Sequence, residues 1–159
     1  MDGQRRVVGV EIGGTKLQIV LGTAEGGILE RVRFEVDPAR GAVAIRGHIE
    51  RTLGSWRGTG ALASIGVGFG GPVDWRTGQV SCSHHVEGWS DFPLGEWLRE
   101  RCGLPVRIDN DANVGALAES RLGAGRGATP VFYVTLGSGV GGGLVCDGQI
   151  YHGAKPGEA

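Results

Sequence analysis

Twice along this chain an apolar run enters a glycine-rich bend and a second apolar run leaves it. The first unit spans Val7 to Leu21 and bends at Gly13-Gly14-Thr15-Lys16. The second spans Val131 to Val145 and bends through Gly137-Ser138-Gly139-Val140-Gly141-Gly142-Gly143. Glycine lacks a Cβ, so such a bend lets another molecule approach the backbone amides closely. Successive bare N–H groups form a concave anion site that suits phosphate. A plain β-hairpin accounts for either bend alone. The pair points to a grip on a polyphosphate.

Composition narrows the field. The 32 glycines among 159 residues follow no G-X-Y period and fall between apolar runs, which excludes collagen and implies many tight turns. Hydrophobic residues at 40% and charged residues at 21% are the balance of one globular domain with a real core. A formal net charge of -1 offers no basic face for nucleic acid or an anionic membrane. Cys82, Cys102 and Cys146 are odd in number, far apart and without C-x-x-C spacing. They read as reduced residues of a cytoplasmic protein. The Val7–Ile12 run is too short for a secretory signal. No apolar stretch approaches the roughly 20 residues of a membrane helix.

Periodicity places the elements. Val7 to Ile12 reads as a buried strand, Leu17 to Leu21 as its return, and Ile28 to Val36 as a third strand after Glu25-Gly26-Gly27. Asp37-Pro38 predicts a helix start, with Val43, Ala44, Ile49 and Leu53 inside and Gly54 as its end. Ile65 to Phe69 is a short strand closed by Gly70-Gly71-Pro72. Pro93 to Cys102 predicts a helix stopped by Gly103, and Val106 and Ile108 mark a strand. A third helix is expected over about Ala112 to Leu122, with Val114, Leu117, Ala118 and Leu122 on one face. The order β-β-β-α-β-α-β-α-β-β argues for an α/β layer with some antiparallel strands. The chain ends at Ala159 just after the hairpin Val145 to Ile150, with no capping element, which predicts a piece of a longer protein.

Gly137, Gly139 and Gly142 satisfy G-x-G-x-x-G, but a dinucleotide site needs a helix directly after the glycines. Leu144-Val145-Cys146 and an Asp147-Gly148 turn follow instead, which is hairpin chemistry. No G-x-x-x-x-G-K-[ST] occurs either. In the first bend Thr15 and Lys16 add a hydroxyl donor and a cation that suit a phosphate oxygen. A solvated turn lysine is the alternative. Ile108-Asp109-Asn110-Asp111-Ala112-Asn113 falls where a strand ends and a helix begins. One such residue would be an N-cap. Four acidic or amide side chains in five exceed what a cap needs, at the strand edge where α/β sheets bind ligands. Asp109 and Asp111 are both candidates for a general base.

The runs Gly9-Val10-Glu11-Ile12-Gly13-Gly14-Thr15-Lys16, Gly70-Gly71-Pro72-Val73-Asp74, Asn110-Asp111-Ala112-Asn113 and Thr135-Leu136-Gly137-Ser138-Gly139-Val140-Gly141-Gly142-Gly143 together resemble the ROK family of repressors, open reading frames and kinases. The resemblance covers essentially the whole chain and implies the amino-terminal lobe, residues 1–159, of a glucokinase-like sugar kinase. The implied fold is α/β, a ribonuclease H-like (actin-like ATPase) lobe with a mixed sheet flanked by helices. The implied reaction is ATP-dependent phosphorylation of a hexose or amino sugar with Mg²⁺. Asp111 then matches the catalytic base. Gly13, Gly14, Thr15 and Lys16 match the first phosphate loop, and Gly137, Ser138, Gly139 and Gly141 the second. Gly71, Asn110, Asp111 and His85 match sugar-binding positions.

Three departures stand out. Glu11 replaces a usual Asp, Gly70 a usual Pro, and His85, in His84-His85-Val86-Glu87-Gly88-Trp89, a usual Asn. The resemblance puts a structural zinc motif beyond Ala159, and the three cysteines do not match it. No metal site is expected within these residues. The expected partner is a small-molecule sugar, with no nucleic acid or membrane and with a homodimer left open. A ROK-type regulator is the alternative, but only Met1 to Arg6 precede Val7, which leaves no room for a helix-turn-helix segment. A non-catalytic sugar-binding lobe is the third reading. The 159 residues alone are expected to be inactive.

Overall fold

The computed structural model describes residues 5–58, 61–83, 85–137 and 139–153. Its centre is a five-stranded mixed sheet. Strand β1 (Arg6–Ile12) pairs antiparallel with β2 (Lys16–Thr23), which pairs antiparallel with β3 (Ile28–Glu35). On its other edge β1 runs parallel to β4 (Leu62–Phe69), and β4 parallel to β7 (Val106–Asn110). The order across the sheet is β3-β2-β1-β4-β7. Between β4 and β7 lie a two-stranded ribbon, β5 (Val73–Asp74) with β6 (Gln79–Val80), and helix α2 (Leu94–Cys102).

Alternation decides which face is buried. Val8, Val10 and Ile12 of β1, Leu17, Ile19 and Leu21 of β2, and Ile65, Val67 and Phe69 of β4 all point into one core. Helix α1 (Gly41–Trp56) covers it with Ala42, Ile45, Ile49, Leu53 and Trp56, spaced three or four residues apart as a single helical stripe. Leu94 and Leu98 of α2 complete it. Each such side chain contributes roughly 1.5–3 kcal/mol by leaving water. Trp89, 1% exposed, meets Phe69 edge to face at 5.3 Å.

The expected start of α1 at Asp37-Pro38 is corrected. Those residues open a 3-10 turn, Pro38–Arg40, whose first amides Asp37 caps by accepting from the Ala39 N–H. Gly41 then takes φ +61, and the α-helix begins there and runs past Gly54 to Trp56. The other two helices begin one residue inside or outside their expected positions, with Gly103 closing α2 at φ 66.

His48 of α1 packs its ring on Phe34 at 4.1 Å. Burial, then the neighbouring Arg51 and Arg40, hold its pKa below the ordinary 6.5. The folded state therefore favours the neutral ring, so this group's contribution is present above the ordinary value and is lost as pH falls below it. Stability should decline between about pH 7 and about pH 5, and less so in His48→Gln. Denaturant unfolding at the two pH values checks this, and equal declines would contradict it.

The last third builds a second, separate sheet. Strands β8 (Val131–Leu136), β9 (Val140–Cys146) and β10 (Gln149–Ile150) form an antiparallel meander in the order β10-β9-β8. Helix α3 (Asp111–Leu122) packs against it. The apolar face expected on α3 is not the buried one. Ala112 and Ala116 are buried, while Val114 and Leu122 are 37% and 60% exposed. The reason lies in β9, where a β-carbon at Gly143 would sit 2.6 Å from the Ala112 carbonyl oxygen and 2.8 Å from Ala116 Cβ. Only small residues allow so close an approach, so the helix turns its alanines to the glycines. Among the described residues no helix is long and apolar enough to cross a membrane.

Candidate functional site

Parallel pairing of β1, β4 and β7 brings their carboxyl ends to one edge of the sheet. Ile12 stands opposite Phe69, and Phe69 opposite Asn110. The residues that follow each strand therefore converge: Gly13-Gly14 after β1, Gly70-Gly71 after β4, and Asp111 after β7. The Gly70 N–H donates to the Ile12 carbonyl at 2.8 Å, which locks the first two turns together. The β8–β9 turn arrives from the other sheet. All these groups line one cleft of about 500 Å³, joined by Thr15, His85, Asn110, Thr135, Gly137, Gly139 and Gly141.

Within the cleft the first glycine turn is tightly packed and the second is open. A β-carbon at Gly14 would lie 2.7 Å from His85 Cβ and 2.8 Å from its ring, so the glycine makes room for the imidazole. At Gly70 it would lie 3.3 Å from the Ile12 carbonyl oxygen and 3.4 Å from Asp111 Oδ2. At Gly137 or Gly139 it would meet none of the described residues within 4 Å. The second turn thus presents bare backbone to the cleft.

The Asp-Asn-Asp run divides its labour. Asn110 is the N-cap of α3: its Oδ1 accepts from the N–H groups of Ala112 at 2.9 Å and Asn113 at 3.4 Å. Its Nδ2 donates to the Gly71 carbonyl at 3.3 Å, which ties β7 to the turn after β4. Asp109 has both oxygens engaged. Oδ1 accepts from the Asn110 N–H at 2.8 Å and from Asn113 Nδ2 at 2.9 Å, and Oδ2 from His152 Nε2 at 2.7 Å. Asp111 begins the helix, accepts the Ala112 N–H at 2.8 Å through Oδ1, and lines the cleft. Of the two rival carboxylates, Asp111 is the one at the cleft.

Nearly every described residue expected at the site is therefore gathered there: Gly13, Gly14, Thr15, Gly71, His85, Asn110, Asp111, Gly137, Gly139 and Gly141. Ser138 and His84 lie outside the described residues. Lys16 is not among the residues that line the cleft. Its ammonium pairs with Glu11 Oε1 at 3.0 Å, while Glu11 Oε2 accepts from Gln18 Nε2 at 3.2 Å. The turn reverses the chain so that Lys16 opens β2 close to Glu11 at the end of β1, where the two opposite charges pair. Sequence reasoning missed Thr135, whose inward place follows from strand alternation in β8, and His152, for which no sequence signal existed. Among the described residues no group of three or more His, Cys, Asp or Glu side chains is placed to hold a metal ion.

A second cavity, about 660 Å³, opens over the sheet face opposite the core. Its floor is Gly9, Gly66 and Gly68, its wall is the Val114–Leu117 side of α3, and Asp111 stands between it and the cleft. It holds none of the glycine-turn residues.

Comparison with known proteins agrees with this geometry. A glucokinase from Halalkalibacterium halodurans is 38% identical over 156 residues, which is 95% of this chain and 47% of that protein. A ROK family glucokinase from Streptomyces griseus, solved with glucose and AMPPNP, superposes with a TM-score of 0.85 at 34% identity, covering 97% of this chain and 48% of the other. A ROK family transcriptional regulator homologous to the E. coli MLC protein gives a TM-score of 0.83 over 98% of this chain and 40% of the other, but at 24% identity it shares the fold alone. The chain spans about half the length of the curated relatives it matches. The mixed sheet with flanking helices is that of the actin-like ATPase fold of the ROK sugar kinases. The family's sequence profile runs over residues 7–159, from the first strand through both glycine turns. On that span, together with the superposed fold, the chain belongs to the ROK family.

Proposed function

We propose that this chain is the amino-terminal part of an ATP-dependent sugar kinase acting on a hexose or amino sugar in the cytoplasm. The observation that carries the reading is the convergence of two glycine turns and the Asp111 carboxylate on one cleft. Phosphoryl transfer asks little covalent chemistry of a protein; it asks for positioning and for charge to be met. Gly137 and Gly139 offer open backbone for phosphate oxygens, and Gly13 to Thr15 face them across the cleft. Asp111 accepts the proton of the sugar hydroxyl, and the freed oxygen attacks the γ-phosphorus as ADP leaves. Asn110 and His85 line the same cleft and orient the sugar.

Magnesium, bound with the nucleotide, would neutralise charge on its phosphates. Such an ion would keep several waters and phosphate oxygens as ligands. Lys16, held by Glu11, is given no phosphate contact here. The exposed apolar face of β8 and β9, Phe132, Val134, Leu136 and Val140, supports further chain packing there in the full-length protein. A sugar-binding regulator would use the same fold, but it has no chemical need for a carboxylate beside a phosphate cradle.

The test is ADP release by the full-length protein across a panel of hexoses and amino sugars. Sugar-dependent ADP formation is expected. ADP release that ignores the sugar, or none at all, would sink the reading. The 159-residue chain alone is expected to show no sugar-dependent turnover in the same assay.

A further inference from the structure

The cleft is assembled from two sheets that, among the described residues, share no ladder hydrogen bonds. The base sits at the end of β7 in the central sheet, and the open glycine turn belongs to β8–β9 in the other. Something must set one against the other. Packing of α3 on Gly141 and Gly143 does part of this. A partly buried side-chain link is His152, two residues past β10 and 43 positions from its partner Asp109 in β7.

The Nε2–H of His152 donates to Asp109 Oδ2 at 2.7 Å, with the two side chains only 17% and 15% exposed. The imidazole lies flat on Trp75, centroids 4.3 Å apart and planes 18° apart, which limits its rotation. Asp109 passes the constraint on. Its Oδ1 holds the Asn110 N–H and Asn113 Nδ2, and Asn113 is 2% exposed. Asn110 caps α3 and bonds Gly71. This network brackets Asp111 on both sides.

We propose that His152 is a positioning residue for the phosphoryl transfer: through Asp109 it fixes the β7–α3 junction, and so the place of Asp111, relative to the second glycine turn. The proposal rests on the kinase reading above. Charge-assisted hydrogen bonds of this kind are short and directional, which suits a positioning role. Misplacing a reacting group by about 1 Å can cost about 10²-fold in rate.

The experiment uses the full-length protein with His152→Ala, His152→Gln and Asp109→Asn. Gln can place an amide N–H near the position of Nε2, so it keeps the donor. In His152→Ala, kcat is expected to fall about 10- to 100-fold with the KM for ATP little changed, and amide exchange at Asn110, Ala112 and Asn113 to quicken. His152→Gln should recover most of both. The double variant His152→Ala with Asp109→Asn should lose little more than the worse single variant, since both break one link. Unchanged kcat in His152→Ala, a loss that Gln does not recover, or additive losses in the double variant would overturn the proposal alone. Absence of sugar phosphorylation by the unsubstituted protein would overturn the kinase reading and this proposal with it.

Discussion

Replacing Asp111 by Asn in the full-length protein should lower kcat by about 10²–10⁴ while the KM for sugar stays nearly constant. Asn has the same size and keeps an oxygen able to accept the Ala112 N–H, so the start of α3 is preserved. What it loses is the basicity that takes the hydroxyl proton. Asp109→Asn is the matched control. Asp109 spends both oxygens on Asn110, Asn113 and His152, so its variant disturbs positioning and not proton transfer. Steady-state kinetics of the two variants separate the roles. A larger kcat loss at Asp109 than at Asp111 would reverse the assignment.

A large stability effect is expected at Gly143. Its β-carbon would fall 2.6 Å from the Ala112 carbonyl oxygen, 2.8 Å from Ala116 Cβ and 3.0 Å from the Ala112 carbonyl carbon. Two of those three atoms are backbone, which cannot rotate away as a side-chain tip can. Gly143→Ala must push β9 off α3, at a cost of about 1–3 kcal/mol. Because α3 begins at Asp111, the same displacement moves Asp111 relative to the second glycine turn, so activity should fall as well. Gly54→Ala is the opposite case. Gly54 lies in α1 with open space where the β-carbon goes, so alanine should stabilise by about 0.5–1 kcal/mol. Denaturant unfolding of both variants tests the pair. Equal midpoints for Gly143→Ala and the unsubstituted protein would contradict the packing described here.

Much of the fold was legible because alternation and glycine punctuation are local. Val8, Val10 and Ile12 announce β1, and Gly103 announces the end of α2. The meeting of the motifs was legible for a topological reason. Once β1, β4 and β7 run parallel, whatever follows each strand must meet at one edge, so motifs some 40 to 60 residues apart become neighbours. What stayed hidden depends on contacts between distant elements. The buried face of α3 is set by Gly141 and Gly143 of β9, and no helical periodicity encodes that partner. The pairing of Lys16 with Glu11 is likewise set by the turn between β1 and β2 and not by any local pattern. His152 gives no sign of its bond to Asp109 in the sequence around either residue. The two-residue strands β5 and β6 are too short for any periodic pattern.

The central claim is that the cleft holds the phosphates of ATP beside a sugar hydroxyl facing Asp111. Phosphorus NMR of the full-length protein incubated with ATP and a hexose or amino sugar tests it most directly, because it observes donor and product together. The account predicts one sugar phosphate formed for each ADP, and loss of both signals in Asp111→Asn. ADP appearing with inorganic phosphate and no sugar phosphate, or sugar binding with no turnover of ATP, would contradict it.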